Sequence, residues 1–149
     1  MRLPAPLPAL TLAALIAAAG ARADLIGDAE AGAEHFKDCK GCHQVGKGAE
    51  DRIGPHLNGL FGRQAAAHEG YVYSASMKRA GVDGLTWTLE TLDAYIAKPR
   101  ALVSKTRMSY PGMKDEQARA DLLAYLRSFS DNPANIPEAE PTAIGTDHS

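Results

Sequence analysis

Residues 39–43 read Cys-Lys-Gly-Cys-His, and Cys39 and Cys42 are the only cysteines in the chain. Two thiols three positions apart lie on one turn of backbone. At that spacing they can add to the two vinyl groups on one side of a porphyrin. The next residue, His43, then stands where its imidazole can ligate the iron. This is the attachment signature of a c-type haem. Two other chemistries use such cysteine pairs: a disulfide followed by an incidental histidine, and zinc. Zinc needs a second ligand pair at suitable spacing, which is absent. A thioredoxin-like disulfide site needs strands around it, and no convincing strand pattern appears. The motif therefore predicts one covalently attached haem c.

The elements that must position this motif are helical. Residues 28–38 read as a helix capped by Asp28, with Ala29, Gly32, Ala33 and Phe36 at helical spacing. Residues 44–70 are glycine-rich and aperiodic and read as a long loop. Residues 74–80 form a short helix before Gly81. A helix over 89–98 is capped by Thr88, has Leu89, Leu92, Tyr95 and Ile96 on its apolar face, and ends at Pro99. A last helix over 116–128 is capped by Asp115 and carries Ala118, Leu122, Tyr125, Leu126 and Phe129 on one stripe. Loops this long do not suit a compact domain of this size unless they wrap a large buried group. A haem supplies that surface. The expected fold class is all-α: one small domain of four or five helices and long loops wrapped round one covalently bound haem.

The flanks differ from this domain. Arg2, an apolar run from about Leu7 to Ala19, and Ala21-Arg22-Ala23 have the order of a secretory signal peptide. The run is shorter than the roughly 20 residues of a membrane span. The alternative is that the segment is retained as an anchor. The predicted organisation is a signal peptide over 1–23, a domain over 24–130 and a disordered acidic, proline-containing tail over 131–149. Loss of Arg2 and Arg22 from 16 basic residues leaves 14 against 18 acids, a mature net charge of −4. Asp131, Glu138, Glu140 and Asp147 in the tail account for that excess. Residues 24–130 carry 14 charges of each sign and are formally neutral, so the chain is not a basic nucleic-acid binder.

At this point the sequence resembles the class I c-type cytochromes, in the bacterial periplasmic branch close to mitochondrial cytochrome c. The segments that carry the likeness run in order: Gly32 and Phe36, CKGCH at 39–43, GPHLNGLFGR at 54–63, YSASMK at 73–78, TW at 86–87, LDAYIAKP at 92–99, KTRMSY at 105–110 and RADLLAYL at 119–126. The resemblance implies His43 and Met108 as axial iron ligands. Met113, five residues on, and Met77 are the competing methionines, each otherwise a core residue. His35, His56, His68 and His148 are formally capable ligands, but none stands where the family keeps its second ligand. The resemblance further implies that the Pro55 carbonyl accepts from His43. It sets the Tyr95 hydroxyl near the Met108 sulfur, and it makes Arg63, Tyr73, Trp87 and Thr106 donors to the haem propionates. Gly32 and Phe36 mark the crossing of the first helix and the last. The chain departs from many relatives at Ser104-Lys105, where they have Pro-Gly ahead of the methionine.

The implied function is that of a soluble, monomeric, periplasmic electron carrier, not an enzyme. Its partners would be membrane or periplasmic redox proteins (an oxidase, reductase or dehydrogenase) docking at the haem edge. Lys40, Lys78, Lys98, Arg100, Lys105 and Arg107 would form a basic rim there. The rival from another class is a haem enzyme or gas-binding sensor with a labile sixth ligand. A third reading, an electron-entry module of a larger enzyme, lacks any second domain in the sequence.

Overall fold

The computed structural model describes residues 27–131. The signal-peptide segment and all but the first residue of the acidic tail lie outside the described residues. Among these residues the chain forms five α-helices: α1 (Ala29–His35), α2 (Ala75–Val82), α3 (Leu89–Ala97), α4 (Pro99–Leu102) and α5 (Glu116–Arg127). A 3-10 turn, Phe36–Asp38, continues α1 into the cysteine motif. No described helix is long and apolar enough to cross a membrane.

Capping decides where these short helices start. The Asp28 carboxylate accepts the N–H groups of Glu30 and Ala31. Ser74 accepts from Met77 N–H at the head of α2, and Asp115 accepts from Ala118 N–H at the head of α5. Thr88 and Thr91 form a reciprocal capping box on α3. The sequence predicts that Pro99 stops α3, and the helix does stop, at Lys98, whose φ of −159° is extended. Pro99 then opens α4, because a fixed φ and a missing N–H cost nothing in a first turn. That four-residue helix has no periodicity of its own to reveal it.

Helices α1 and α5 cross with backbones in contact. A Cβ built on Gly32 would lie 1.9 Å from the Asp121 carbonyl oxygen and 2.7 Å from the Tyr125 Cβ. The crossing is locked by the Asp121 carboxylate, which accepts the Asp28 N–H at 2.8 Å and the Gln117 amide at 2.8 Å. Those bonds, the Asp28 one above all, hold the carboxyl below its ordinary pKa range. The Phe36 and Tyr125 rings meet at a tilt of 49° with centroids 5.5 Å apart beside the crossing. Replacing Gly32 with Ala leaves only backbone to give way. A loss of about 3 kcal/mol is expected, the upper end of overpacking costs. For a domain of this size that is a fall of the order of 15 °C in melting temperature, measurable on the haem-loaded protein by circular dichroism.

The long loop is pinned, though it has no helix. Asn58 both accepts from Gly46 N–H at 2.8 Å and donates to Gly46 carbonyl at 2.9 Å. Leu57 N–H bonds to Gln44 carbonyl and Gly59 N–H to Phe129 carbonyl. Leu60, Phe61 and Ala65 are buried anchors. An isolated antiparallel bridge pairs Gln64 with Thr86. Around it Trp87 N–H donates to Arg63 carbonyl at 2.9 Å and Gly62 N–H to Trp87 carbonyl at 2.8 Å. That pairing brings the Arg63 and Trp87 side chains, 24 positions apart in the chain, to neighbouring places on one wall.

Candidate functional site

A cavity of about 410 Å³ runs through the middle of the domain. Its walls hold every site residue expected from the sequence: Cys39, Cys42, His43, Pro55, Arg63, Tyr73, Trp87, Tyr95, Thr106 and Met108. Phe36, Leu57, Leu60, Met77, Leu92, Ile96, Leu122 and Leu126 supply much of the apolar lining. Most of these are also core residues, so the cavity lies within the hydrophobic core.

His43 is fixed on one wall. Its Nδ1–H donates to the Pro55 carbonyl at 2.7 Å, which leaves the lone pair on Nε2. Burial lowers the imidazole pKa, and the Pro55 bond offsets that only in part, so the ring is a neutral σ-donor. Gly54 is the other half of the cradle. A Cβ there would come within 2.3 Å of the His43 Cε1, so no larger residue leaves the ring in place. The motif itself is a tight turn, with Cys42 N–H and His43 N–H both bonding to the Cys39 carbonyl.

Cys39 and Cys42 are both half-buried and are not joined in a disulfide. Burial, with Asp38 and Cys42 nearby, pushes the Cys39 thiol up to about 11. Such a site disfavours a free thiolate. It suits an uncharged thioether.

Met108 enters from the strap between α4 and α5. Hydrogen bonds from several elements aim that strap. Thr106 Oγ1 accepts the Met108 N–H at 3.2 Å and bonds to the Tyr95 hydroxyl at 2.8 Å. The Lys105 carbonyl accepts from Ser76 Oγ at 3.0 Å. Lys105 itself has φ +58°, a conformation that favours glycine. This turn falls at the Ser104-Lys105 departure noted in the sequence. The far end is clamped by Arg119, whose Nη1 donates to the Met113 and Lys114 carbonyls at 2.9 Å each and whose Nε donates to Asp93 at 2.6 Å. Met113 is buried, with its N–H on the Ile96 carbonyl, and it is not part of the cavity wall. Met77 is buried and does touch the cavity. His35, His56 and His68 are absent from the lining.

The resemblance sets Thr106 among the propionate donors; here its hydroxyl is engaged by Tyr95 and the strap. Tyr95 meets the strap through Thr106, and burial raises its hydroxyl pKa, with the Thr106 bond acting the other way. At the other end of the cavity, Arg63 donates to the Asn58 carbonyl at 3.3 Å. Most of its five N–H donors and the Trp87 indole N–H have no hydrogen-bond partner among the described residues. Both side chains line the cavity, and donors turned toward an apolar space call for acceptors on the group that fills it. Two carboxylates at one edge of an otherwise apolar planar group would supply them. The residues present thus fit a c-type haem: two thiols and an imidazole on one wall, a thioether on the strap, donors at one end.

Sequence reasoning missed three contributors. Arg119 stands three and seven positions before Leu122 and Leu126 on an apolar stripe, and a cation on such a stripe was the available signal. Gly54 and Asn58 lay inside a quoted motif without roles of their own.

Comparison with known proteins follows the same lines. A family model described as Cytochrome c matches residues 29–130. Cytochrome c2 of Blastochloris viridis is 44% identical over 119 residues, covering 80% of this chain and 87% of that protein. Cytochrome c of Cannabis sativa is 46% identical over 102 residues, covering 68% and 89%. Among solved structures, cytochrome c2 from Rhodospirillum centenum superposes with a TM-score of 0.67 at 39% identity, over 70% of this chain and 99% of that one.

Proposed function

The chain belongs to the cytochrome c family, and from that premise we propose how its residues hold the cofactor and meet redox partners. It is an electron carrier with one covalently attached haem c, and it is not an enzyme. When bound, the haem supplies a one-electron ferric/ferrous couple.

Cys39 and Cys42 form the thioether links. His43 and Met108 are the axial ligands, supported by one observation above the rest: a single cavity brings that imidazole and that thioether together with both thiols. Pro55 and Gly54 hold the His43 ring at one angle. Thr106 and Tyr95 hold the Met108 backbone from the other side. Arg63, Tyr73 and Trp87 place donors and a positive charge where propionates would lie, with Thr106 close to the strap. Both axial residues being braced, little moves when the charge changes, which keeps reorganisation small. No side chain here needs to break or form a substrate bond.

Lys40, Lys78, Lys98, Arg100, Lys105 and Arg107 are all exposed, and Arg107 lines the cavity as well. Ile53, 77% exposed, lines it too. Such a mixed basic and apolar rim suits brief docking on acidic faces of membrane or periplasmic redox proteins, with rates that fall as salt rises. The N-terminal signal pattern supports export, and hence a periplasmic location, with the domain over 24–130 and the acidic tail after it.

The test is carbon monoxide added to the ferrous, haem-loaded protein. The spectrum is expected to stay unchanged at neutral pH, because Met108 fills the sixth position. Rapid, stoichiometric conversion to a carbonyl spectrum would favour the sensor or enzyme reading.

A further inference from the structure

A second cluster of ligand-type side chains lies outside the cavity wall. Asp51, His56 and His68 come from two parts of the long loop, and one donor atom from each lies within 4.8 Å of the others. We propose that these three residues form a site for a divalent transition-metal ion of the zinc type.

The carboxylate is positioned in advance. Asp51 Oδ1 accepts the His56 backbone N–H at 2.9 Å. The His68 Nε2 lies 3.0 Å from both Asp51 oxygens. Two ligands each about 2.0–2.1 Å from a tetrahedral zinc are roughly 3.3 Å apart, so an ion can replace the shared proton with little movement. The second imidazole is already there: the His56 and His68 rings meet edge to face with centroids 4.3 Å apart.

The chemistry of the donors selects the ion. Two imidazoles and one carboxylate suit zinc, copper or nickel, whereas magnesium and calcium prefer all-oxygen shells. His56 Nδ1 is buried without a hydrogen-bond partner, so that ring is not committed through it elsewhere. The His68 and Asp51 side chains are 18% and 29% exposed, enough for an ion to enter and for water to complete its shell.

Occupancy would tie position 51 to position 68. Between them lie Gly54 and Pro55, the residues that seat His43, and Arg63. The metal would therefore act as a staple on the loop behind the haem ligand.

The experiment is calorimetric titration of the tagless, haem-loaded protein with zinc chloride, and in parallel with magnesium chloride. One equivalent of zinc is expected to bind in the micromolar range, and magnesium is not. At a hundredfold excess over Kd the melting temperature should rise by roughly 10 °C. His68→Gln, His56→Gln and Asp51→Asn should each weaken zinc binding at least tenfold, while His35→Gln, on α1, leaves it unchanged. If a variant loses its native absorption spectrum, the wild-type protein decides instead: zinc should shift the His56 and His68 ring resonances and spare His35. Absence of saturable binding, equal affinity in properly folded His56→Gln and His68→Gln, or shifts confined to other residues would overturn the site.

Discussion

Replacing Met108 with Ala is expected to convert the ferric protein from low-spin toward high-spin and to open the iron to carbon monoxide and other small ligands. The midpoint potential should fall by tenths of a volt, within the roughly 0.8 V that axial ligands span, since the thioether favours the reduced state. Absorption spectra and redox titration measure all three. Met113→Ala is the informative contrast. Its side chain is buried but off the cavity wall, so the variant should keep the wild-type spectrum while losing about 2–5 kcal/mol of stability to the void it leaves. The two effects are thus expected to separate, ligation at 108 and packing at 113. A normal spectrum in Met108→Ala with a high-spin Met113→Ala would reverse the assignment.

That separation was only partly legible in the sequence. Cys39, Cys42 and His43 could be read directly, because a covalent bond at two points and a metal bond at a third dictate their spacing. Nothing local distinguishes Met108 from Met113: both lie in one aperiodic strap, and the resemblance alone chose between them. The structural reason is tertiary. Arg119 on α5 holds the Met113 and Lys114 carbonyls, and Ile96 on α3 holds the Met113 N–H, so Met113 is tied to the helices and Met108 is left to the cavity. The helices were readable from caps and stripes, Asp28, Thr88 and Asp115 above all. Helix α4 was not, because four residues carry no period. The pairing of Arg63 with Trp87, and of Asp51 with His68, depends on how an irregular loop closes on itself. Such closure leaves no repeating pattern in sequence.

The loops themselves lead to the second large effect. A protein with Cys39→Ala and Cys42→Ala, produced without covalent haem, is expected to show no cooperative thermal unfolding. The walls of the cavity are the core: Phe36, Leu60, Met77, Trp87, Leu92, Tyr95, Ile96, Leu122 and Leu126 are buried residues that also line it. At about 24 cal/mol per Å³, 410 Å³ left unfilled corresponds to about 10 kcal/mol, a ceiling that inward collapse would lower. The whole stability of a domain this size is about 5–15 kcal/mol. The two quantities are comparable, so the apoprotein has little or nothing left to hold α2, α3 and the strap. The α1–α5 crossing should suffer least, since Gly32 and Asp121 bind its backbones directly. Circular dichroism is therefore expected to retain some helix at low temperature and to lose it gradually on heating, without a defined midpoint. Hydrogen exchange should find its slowest amides in α1 and α5. A sharp transition in the apoprotein, or equal protection across all five helices, would mean that the helices build a sufficient core without the cofactor.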